Sequence, residues 1–249
     1  MTALLVDLGN TRWKLSAAHD AKLGPAEGGI HADAPSVLTT HLSKYRKAVD
    51  AVWLASVAEP EITDRFVAAL RVVLALPVHQ VRSTDPMPDL VSGYRKLHQL
   101  GIDRLLAMVA ARAQSRQAFC VIDAGTAVTI DFVDSGGQHL GGFILPGTQM
   151  SRECLLRNTA IPDDSEVEDQ ALLGRDTATA VAQGTRQAVA GLVERFLIGS
   201  AALFDDQEAV TFVTGGDGDA FLGLLPGRCH RVDNMVLRGL AVLAAGGSR

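Results

Sequence analysis

Val121-Ile122-Asp123-Ala124-Gly125-Thr126-Ala127-Val128-Thr129-Ile130-Asp131 is the stretch on which the reading of the chain turns. The apolar run from Phe119 to Ile122 predicts a strand. An acid, a glycine and a hydroxyl residue then predict a turn, and alternating β-branched residues from Val128 to Val133 predict a second strand. Such a turn gathers backbone N–H groups, a hydroxyl and one carboxylate at a single point. Gly125 has no Cβ, so the backbone there can come close to a ligand. A phosphate with its cation suits that set of groups. Taken alone, the stretch reads better as an ordinary tight hairpin.

It has a counterpart. Leu4-Leu5-Val6-Asp7-Leu8-Gly9-Asn10-Thr11 runs from apolar residues into Asp-x-Gly and then Thr, and Trp13 to Ala17 predicts the returning strand. The two aspartates stand 116 positions apart in 249 residues. Self-similarity at about half the chain length implies two halves built alike. Two facing copies would hold a nucleotide's phosphates between them. This resembles the pattern of the sugar kinase, Hsp70 and actin superfamily. The resemblance implies an α/β fold of duplicated actin-like (ribonuclease H-like) domains, with mixed sheets flanked by helices and a cleft between the halves. The expected domains are residues 1–116 and 117–249, with the last helix free to pack back on the first half.

Composition fits a soluble enzyme. Hydrophobic residues make up 47% of the chain, enough for sizeable cores. No apolar run reaches membrane-spanning length, and no basic region followed by an apolar signal core opens the chain. A cytoplasmic protein is expected, with no membrane partner. The net charge of −5, without a basic block, argues against nucleic acid. Cys120, Cys154 and Cys229 form no CxxC pair and no metal spacing, and read as reduced, buried, small apolar residues.

Between the turns, strands and helices alternate, as an α/β layout requires. Ala18 to Ala34 reads as a polar connection with room for one strand. Pro35 to Val49 reads as a helix with Val37, Leu38, Leu42 and Tyr45 as its stripe. Val52–Val57 and Val78–Val81 read as strands around a helix that opens at Pro60. Pro86 and Pro88 interrupt the pattern before Leu100-Gly101-Ile102-Asp103-Arg104, which opens another helix. Asp103 reads first as a helix cap or first-turn acid. Beside an arginine and after an irregular loop, it also reads as a catalytic base next to a substrate clamp. Lys14 divides evenly between a solvated strand residue and a cation near phosphates.

Beyond the central turn, Leu140–Leu145 predicts a strand and Thr148–Asn158 a helix. Ile161–Leu173, with Asp163, Asp164, Glu166, Glu168 and Asp169, reads as a solvated acidic loop rather than a metal site. Thr177–Leu197 predicts a long amphipathic helix buried through Val181, Ala188, Leu192 and Phe196. Ala209–Val213 reads as a strand into Thr214-Gly215-Gly216-Asp217-Gly218, and Asn234–Ala245 as a final apolar helix before a frayed tail.

In this order, Asp7-x-Gly9-Asn10-Thr11, Gly101-Ile102-Asp103-Arg104, Asp123-x-Gly125-Thr126-Ala127, Gly141-Gly142 with Pro146-Gly147, Thr177 and Gly215-Gly216 resemble the type III pantothenate kinase family, which includes the Bvg accessory factors. The Gly-x-Asp-Arg element is the most diagnostic. The resemblance implies phosphorylation of pantothenate by ATP, the first step of coenzyme A synthesis. It also implies Mg²⁺, a monovalent cation (K⁺ or NH₄⁺) and a homodimer. By the same resemblance, Asp103 is the proton acceptor. Asp7, Leu8, Gly9, Asn10, Thr11, Arg12, Trp13 and Lys14 form the first phosphate element, with Asp7 also at the metal. Gly125 and Thr126 contact ATP, and Asp123 binds the monovalent cation. Gly215 and Gly216 lie near adenosine. Tyr94, Gly101, Ile102, Arg104 and Thr177 line the pantothenate site.

The residue types agree with phosphoryl transfer, which asks a protein mainly for positioning and charge stabilisation. The sequence has no P-loop and no protein-kinase His-Arg-Asp set. Two rivals remain on the same fold. One is another small-molecule kinase or a phosphoanhydride hydrolase, against which the Gly101–Arg104 element argues. The other is a non-enzymatic regulator, against which retention of Asp7, Asp103 and Asp123 argues.

Overall fold

The computed structural model describes residues 1–31, 35–160, 167–168, 171–199, 204 and 209–246. The chain begins β1 (Thr2–Leu8), β2 (Arg12–His19), β3 (Lys22–Leu23), β4 (Glu27–Ile30), α1 (Pro35–Ser43), β5 (Ala51–Ser56), α2 (Pro60–Leu74), β6 (Val78–Gln80) and α3 (Ile102–Gln114). It continues with β7 (Phe119–Ala124), β8 (Ala127–Val133), β9 (His139–Pro146), α4 (Thr148–Asn158), α5 (Thr177–Gly199), β10 (Val210–Thr214), α6 (Asp219–Leu222), β11 (Cys229–Arg231) and α7 (Met235–Gly246). Two compact units divide it: Met1–Gln114 with Asn234–Arg249, and Ser115–Asp233.

Both sheets follow one plan. In the first unit β1 pairs antiparallel with β2 and parallel with β5, which pairs parallel with β6. In the second, β7 pairs antiparallel with β8 and parallel with β10, which pairs parallel with β11. The outer antiparallel partners are β3 and β4 on β2, and β9 on β8. This is the duplicated α/β, actin-like arrangement of mixed sheets flanked by helices.

Strand alternation fixes which residues face which layer. In the first unit Leu4, Val6 and Leu8 pack with Leu42 of α1 and Phe66, Leu70 and Leu74 of α2. The odd-numbered side of β1 is covered by α7, whose Ala241 and Ala244 line a cavity with Ala3. In the second unit Cys120, Ile122 and Ala124 pack with Val189 and Val193 of α5 and Phe221 of α6.

Several expectations change. Among the described residues of the stretch 18–34 there are two short strands, β3 and β4, rather than one. Cys154 is exposed and Cys229 half-buried; only Cys120 is fully buried, and burial pushes its thiol well above the ordinary range. On α5, Ala178, Ala182, Val189 and Val193 are the buried face, whereas Val181, Leu192 and Phe196 are only partly covered and Ala188 is exposed. The helix is rich in alanine nearly all round, so its pattern does not single out a face. The side chains of Val37 and Leu38, the acids Asp163, Asp164, Glu166 and Asp169, and tail residues 247–249 lie outside the described residues.

Candidate active site

In the first unit the β1–β2 hairpin carries the first turn. Asp7 stands opposite Lys14 in the antiparallel register and opposite Ala55 of β5 in the parallel one. The Gly9 N–H donates to the Arg12 carbonyl at 3.0 Å, which leaves Asn10 and Thr11 exposed at the tip. Leu8 and Trp13 point into the core, 0% and 1% exposed, so only their backbones face outward. Arg12 is exposed and Lys14 half-buried.

The end of the same sheet meets the start of α3. Ser56 at the end of β5 and Val57 after it, Val81 after β6, and Gly101 and Ile102 line one cavity of about 340 Å³. Gly101 and Ile102 thus lie at the carboxyl end of β5, which pairs with the end of β1 that carries Asp7, where α/β sheets commonly bind ligands. The odd-numbered residues of β1, Asp7 among them, face the side of α7, against which α3 packs. The Gly101 carbonyl accepts the first helical bond from the Leu105 N–H at 3.2 Å. The Asp103 carboxylate accepts from the Arg104 N–H at 2.8 Å and folds back over Gly101, where any Cβ would collide with it. Gly101 therefore permits the position of Asp103.

Arg104 is 5% exposed, and its guanidinium donates to the Tyr94 hydroxyl at 2.7 Å. The same guanidinium lies 5.6 Å from the Tyr94 ring centroid. Two residues singled out for one substrate are thereby brought together across an irregular loop. The Ile102 side chain is buried at 6%.

In the second unit Asp123 stands opposite Thr129, and the Gly125 N–H donates to the Ala127 carbonyl at 3.1 Å. The tip is Thr126 alone, one residue shorter than the first turn. Two other backbone segments close on it. The Gly147 N–H donates to the Thr126 carbonyl at 3.0 Å, and the Asp217 N–H to the Ala124 carbonyl at 3.0 Å. Gly215 has φ +88° and lies so close to Ala124 that a Cβ would strike its backbone. Only glycine satisfies both demands. Gly216 has open space where a Cβ would stand. Gly125, Thr126, Gly215 and Gly216 thus form one cluster.

Thr177 opens α5, where the Asp176 carboxylate accepts the Thr179 N–H at 2.8 Å. That bond holds the Asp176 carboxyl below its usual range. Thr177 lines a cavity of about 890 Å³ with Leu145, Pro146, Leu155 and Val181.

Among the described residues no three or more His, Cys, Asp or Glu gather as a metal site. A Mg²⁺ ion that arrives with nucleotide phosphates needs only one or two carboxylates, and Asp7 fits that demand. The sequence reading named no site residue between 18 and 34. Yet His31, from the end of β4, reaches the Gly9 carbonyl with Nε2 at 2.7 Å. An isolated histidine in a polar connection carries no periodic signal by which to find it.

Residues 3–198 match the family model for type III pantothenate kinase. The chain belongs to the type III pantothenate kinase family. Curated members include one from Halorhodospira halophila, 34% identical over 95% of each chain. Another, from Pseudomonas syringae pv. syringae, is 37% identical over 96% of this chain and 97% of its own. Solved structures agree in fold. A Baf family protein of Campylobacter jejuni aligns with TM-score 0.62 and 20% identity over 98% of each chain. The activator of 2-hydroxyisocaproyl-CoA dehydratase from Clostridium difficile, with bound ADPNP, aligns with TM-score 0.57 and 13% identity over 100% of this chain and 97% of its own.

Proposed function

We propose that the chain transfers the γ-phosphoryl group of ATP to the primary hydroxyl of pantothenate, the first step of coenzyme A synthesis. The observation that carries the reading is Gly101–Arg104 at the carboxyl ends of β1 and β5, with Tyr94 bonded to Arg104. The hydroxyl oxygen forms the new bond to phosphorus while the bridging bond to ADP breaks. Asp103 orients the hydroxyl and accepts its proton, a role of roughly 10²–10⁴-fold in rate. Its own bond to the Arg104 N–H keeps the carboxylate in place.

In the first unit the exposed Asn10–Thr11 tip donates to the phosphates, and Lys14 adds positive charge beside Asp7; in the second unit the exposed Thr126 is an ATP contact by the family resemblance. Asp7 would hold Mg²⁺, which would supply charge neutralisation when bound. Asp123 would hold K⁺ or NH₄⁺, and the backbone of Gly215–Gly216 would receive the adenosine. In the first unit Arg104 and Tyr94 hold pantothenate; Thr177 of the second unit is a pantothenate contact by the family resemblance alone.

The protein works as a cytoplasmic homodimer. The apolar lining of the cavity at Thr177 supports the pairing: Leu155 there is 38% exposed. Among the described residues no helix is long and apolar enough to cross a membrane.

The deciding experiment supplies MgATP, KCl and pantothenate to the purified protein and follows ADP release and phosphopantothenate by mass. ADP release without the phosphorylated product overturns pantothenate as the acceptor. No nucleotide turnover at all overturns the kinase reading.

A further inference from the structure

We propose that His31 is a positioning residue that holds the first phosphate turn in its binding shape and aims the Asn10 N–H at the nucleotide. The proposal deepens the kinase reading and rests on it. A carbonyl oxygen only accepts, so the 2.7 Å contact with the Gly9 carbonyl requires a hydrogen on His31 Nε2. The other ring nitrogen, Nδ1, is buried and has no hydrogen-bond partner among the described residues. A neutral ring protonated on Nε2 satisfies both observations.

The backbone of the same residue makes a second bond, from the His31 N–H to the Thr11 carbonyl at 3.2 Å. One residue therefore holds the carbonyls at both ends of the exposed Asn10–Thr11 tip. A trans peptide is planar, and its C=O and N–H point in opposite directions. Drawing the Gly9 carbonyl toward His31 turns the Asn10 N–H away from it, outward from the hairpin. Gly9 on its own would leave that peptide free to rotate. The Gly9 N–H, bonded to the Arg12 carbonyl, fixes the preceding peptide. The donor is thus oriented before ligand arrives, and less ordering remains to be done on binding.

The ring is itself held. Phe66 of α2 meets it edge to face, with centroids 5.9 Å apart at 86°. Phe66 rests in turn against Trp13, 6.4 Å away. Trp13 thus serves the turn from beneath, through the core.

The test compares wild type, His31→Leu and His31→Gln. Glutamine can place an amide N–H where Nε2 stands; leucine cannot donate. Calorimetry with Mg²⁺ and the non-hydrolysable analogue AMPPNP gives nucleotide affinity, steady-state assays give both KM values, and thermal melts give the folded fraction. His31→Leu should weaken AMPPNP by about 3- to 10-fold, the effect of one lost hydrogen bond. The pantothenate KM should stay unchanged, and His31→Gln should recover most of the affinity. A folded His31→Leu protein with wild-type nucleotide affinity overturns the proposal. So does a glutamine variant no better than leucine, or a parallel loss for both substrates that follows the unfolded fraction. Wild-type protein that binds no AMPPNP overturns the kinase reading itself, and this proposal with it.

Discussion

The Tyr94 hydroxyl accepts a 2.7 Å hydrogen bond from a guanidinium, that of Arg104, which is 5% exposed. Tyr94→Phe keeps the ring beside the cation and deletes only the acceptor. Loss of that bond loosens the Arg104 side chain in its clamp position. The expected result is a rise of roughly 3- to 10-fold in the pantothenate KM, with the ATP KM unchanged. Steady-state kinetics with each substrate varied in turn checks this, and an unchanged pantothenate KM would remove Tyr94 from the site.

Asp103→Asn separates its two readings. Asparagine keeps the shape and can still accept the Arg104 N–H, but it takes no proton at neutral pH. The variant should melt close to wild type and still bind MgATP, while kcat falls by roughly 10²-fold or more. Near wild-type turnover would leave Asp103 as a first-turn acid and nothing more.

For Asp123, activity in Na⁺ or Tris buffer free of K⁺ and NH₄⁺ should be low and should rise on addition of KCl. Asp123→Asn should blunt that rise. Equal turnover with and without K⁺ sinks the cation assignment.

The adjacent glycines give opposite expectations. Gly215→Ala meets both a positive φ and the Ala124 backbone, so it should destabilise the fold by about 1–3 kcal/mol in denaturant titration. Gly216→Ala has open space around its Cβ and should unfold like wild type. Any loss of nucleotide affinity at Gly216 then reports directly on the ligand. Equal stability of both variants would show that the close approach at Gly215 is not needed.

Glu27 of β4 accepts bonds from Lys44 and His41, and Lys44 foremost holds its carboxyl below the usual range. A lowered folded pKa means that the contribution is present above the ordinary carboxylate pKa of about 4 and is lost as pH falls through the folded value. Glu27→Gln should therefore reduce stability at neutral pH and flatten the decline on acidification. Parallel pH–stability curves for the two proteins would contradict this.

The turns were legible because their chemistry is local: acid, glycine and hydroxyl stand within five residues, and strands flank them on both sides. Gly101–Arg104 was legible for the same reason. What the sequence withheld depends on partners distant along the chain. His31 meets Gly9 22 residues away. The buried face of α5 is chosen by the sheet beneath it, and alanines on several sides leave the helix free to present any of them. The family resemblance put Trp13 in the first phosphate element. Alternation along β2 instead turns its side chain into the core. Tyr94 and Arg104 are ten residues apart across a loop without periodicity, and only the family resemblance paired them in advance.

The first unit is assembled from both ends of the chain, with Ser115–Asp233 running between them. Its last helix, α7, seats against α3, β1, β2 and β5. During synthesis the hairpin bearing Asp7 and the helix bearing Asp103 leave the ribosome early, whereas their cover, with Leu237 and Leu240 fully buried, leaves last. The nascent first unit must wait with an apolar flank open while the whole second unit is made. A ribosome stalled before residue 235 would thus hold a chain with both key aspartates present and an unfinished core, a natural client for a chaperone.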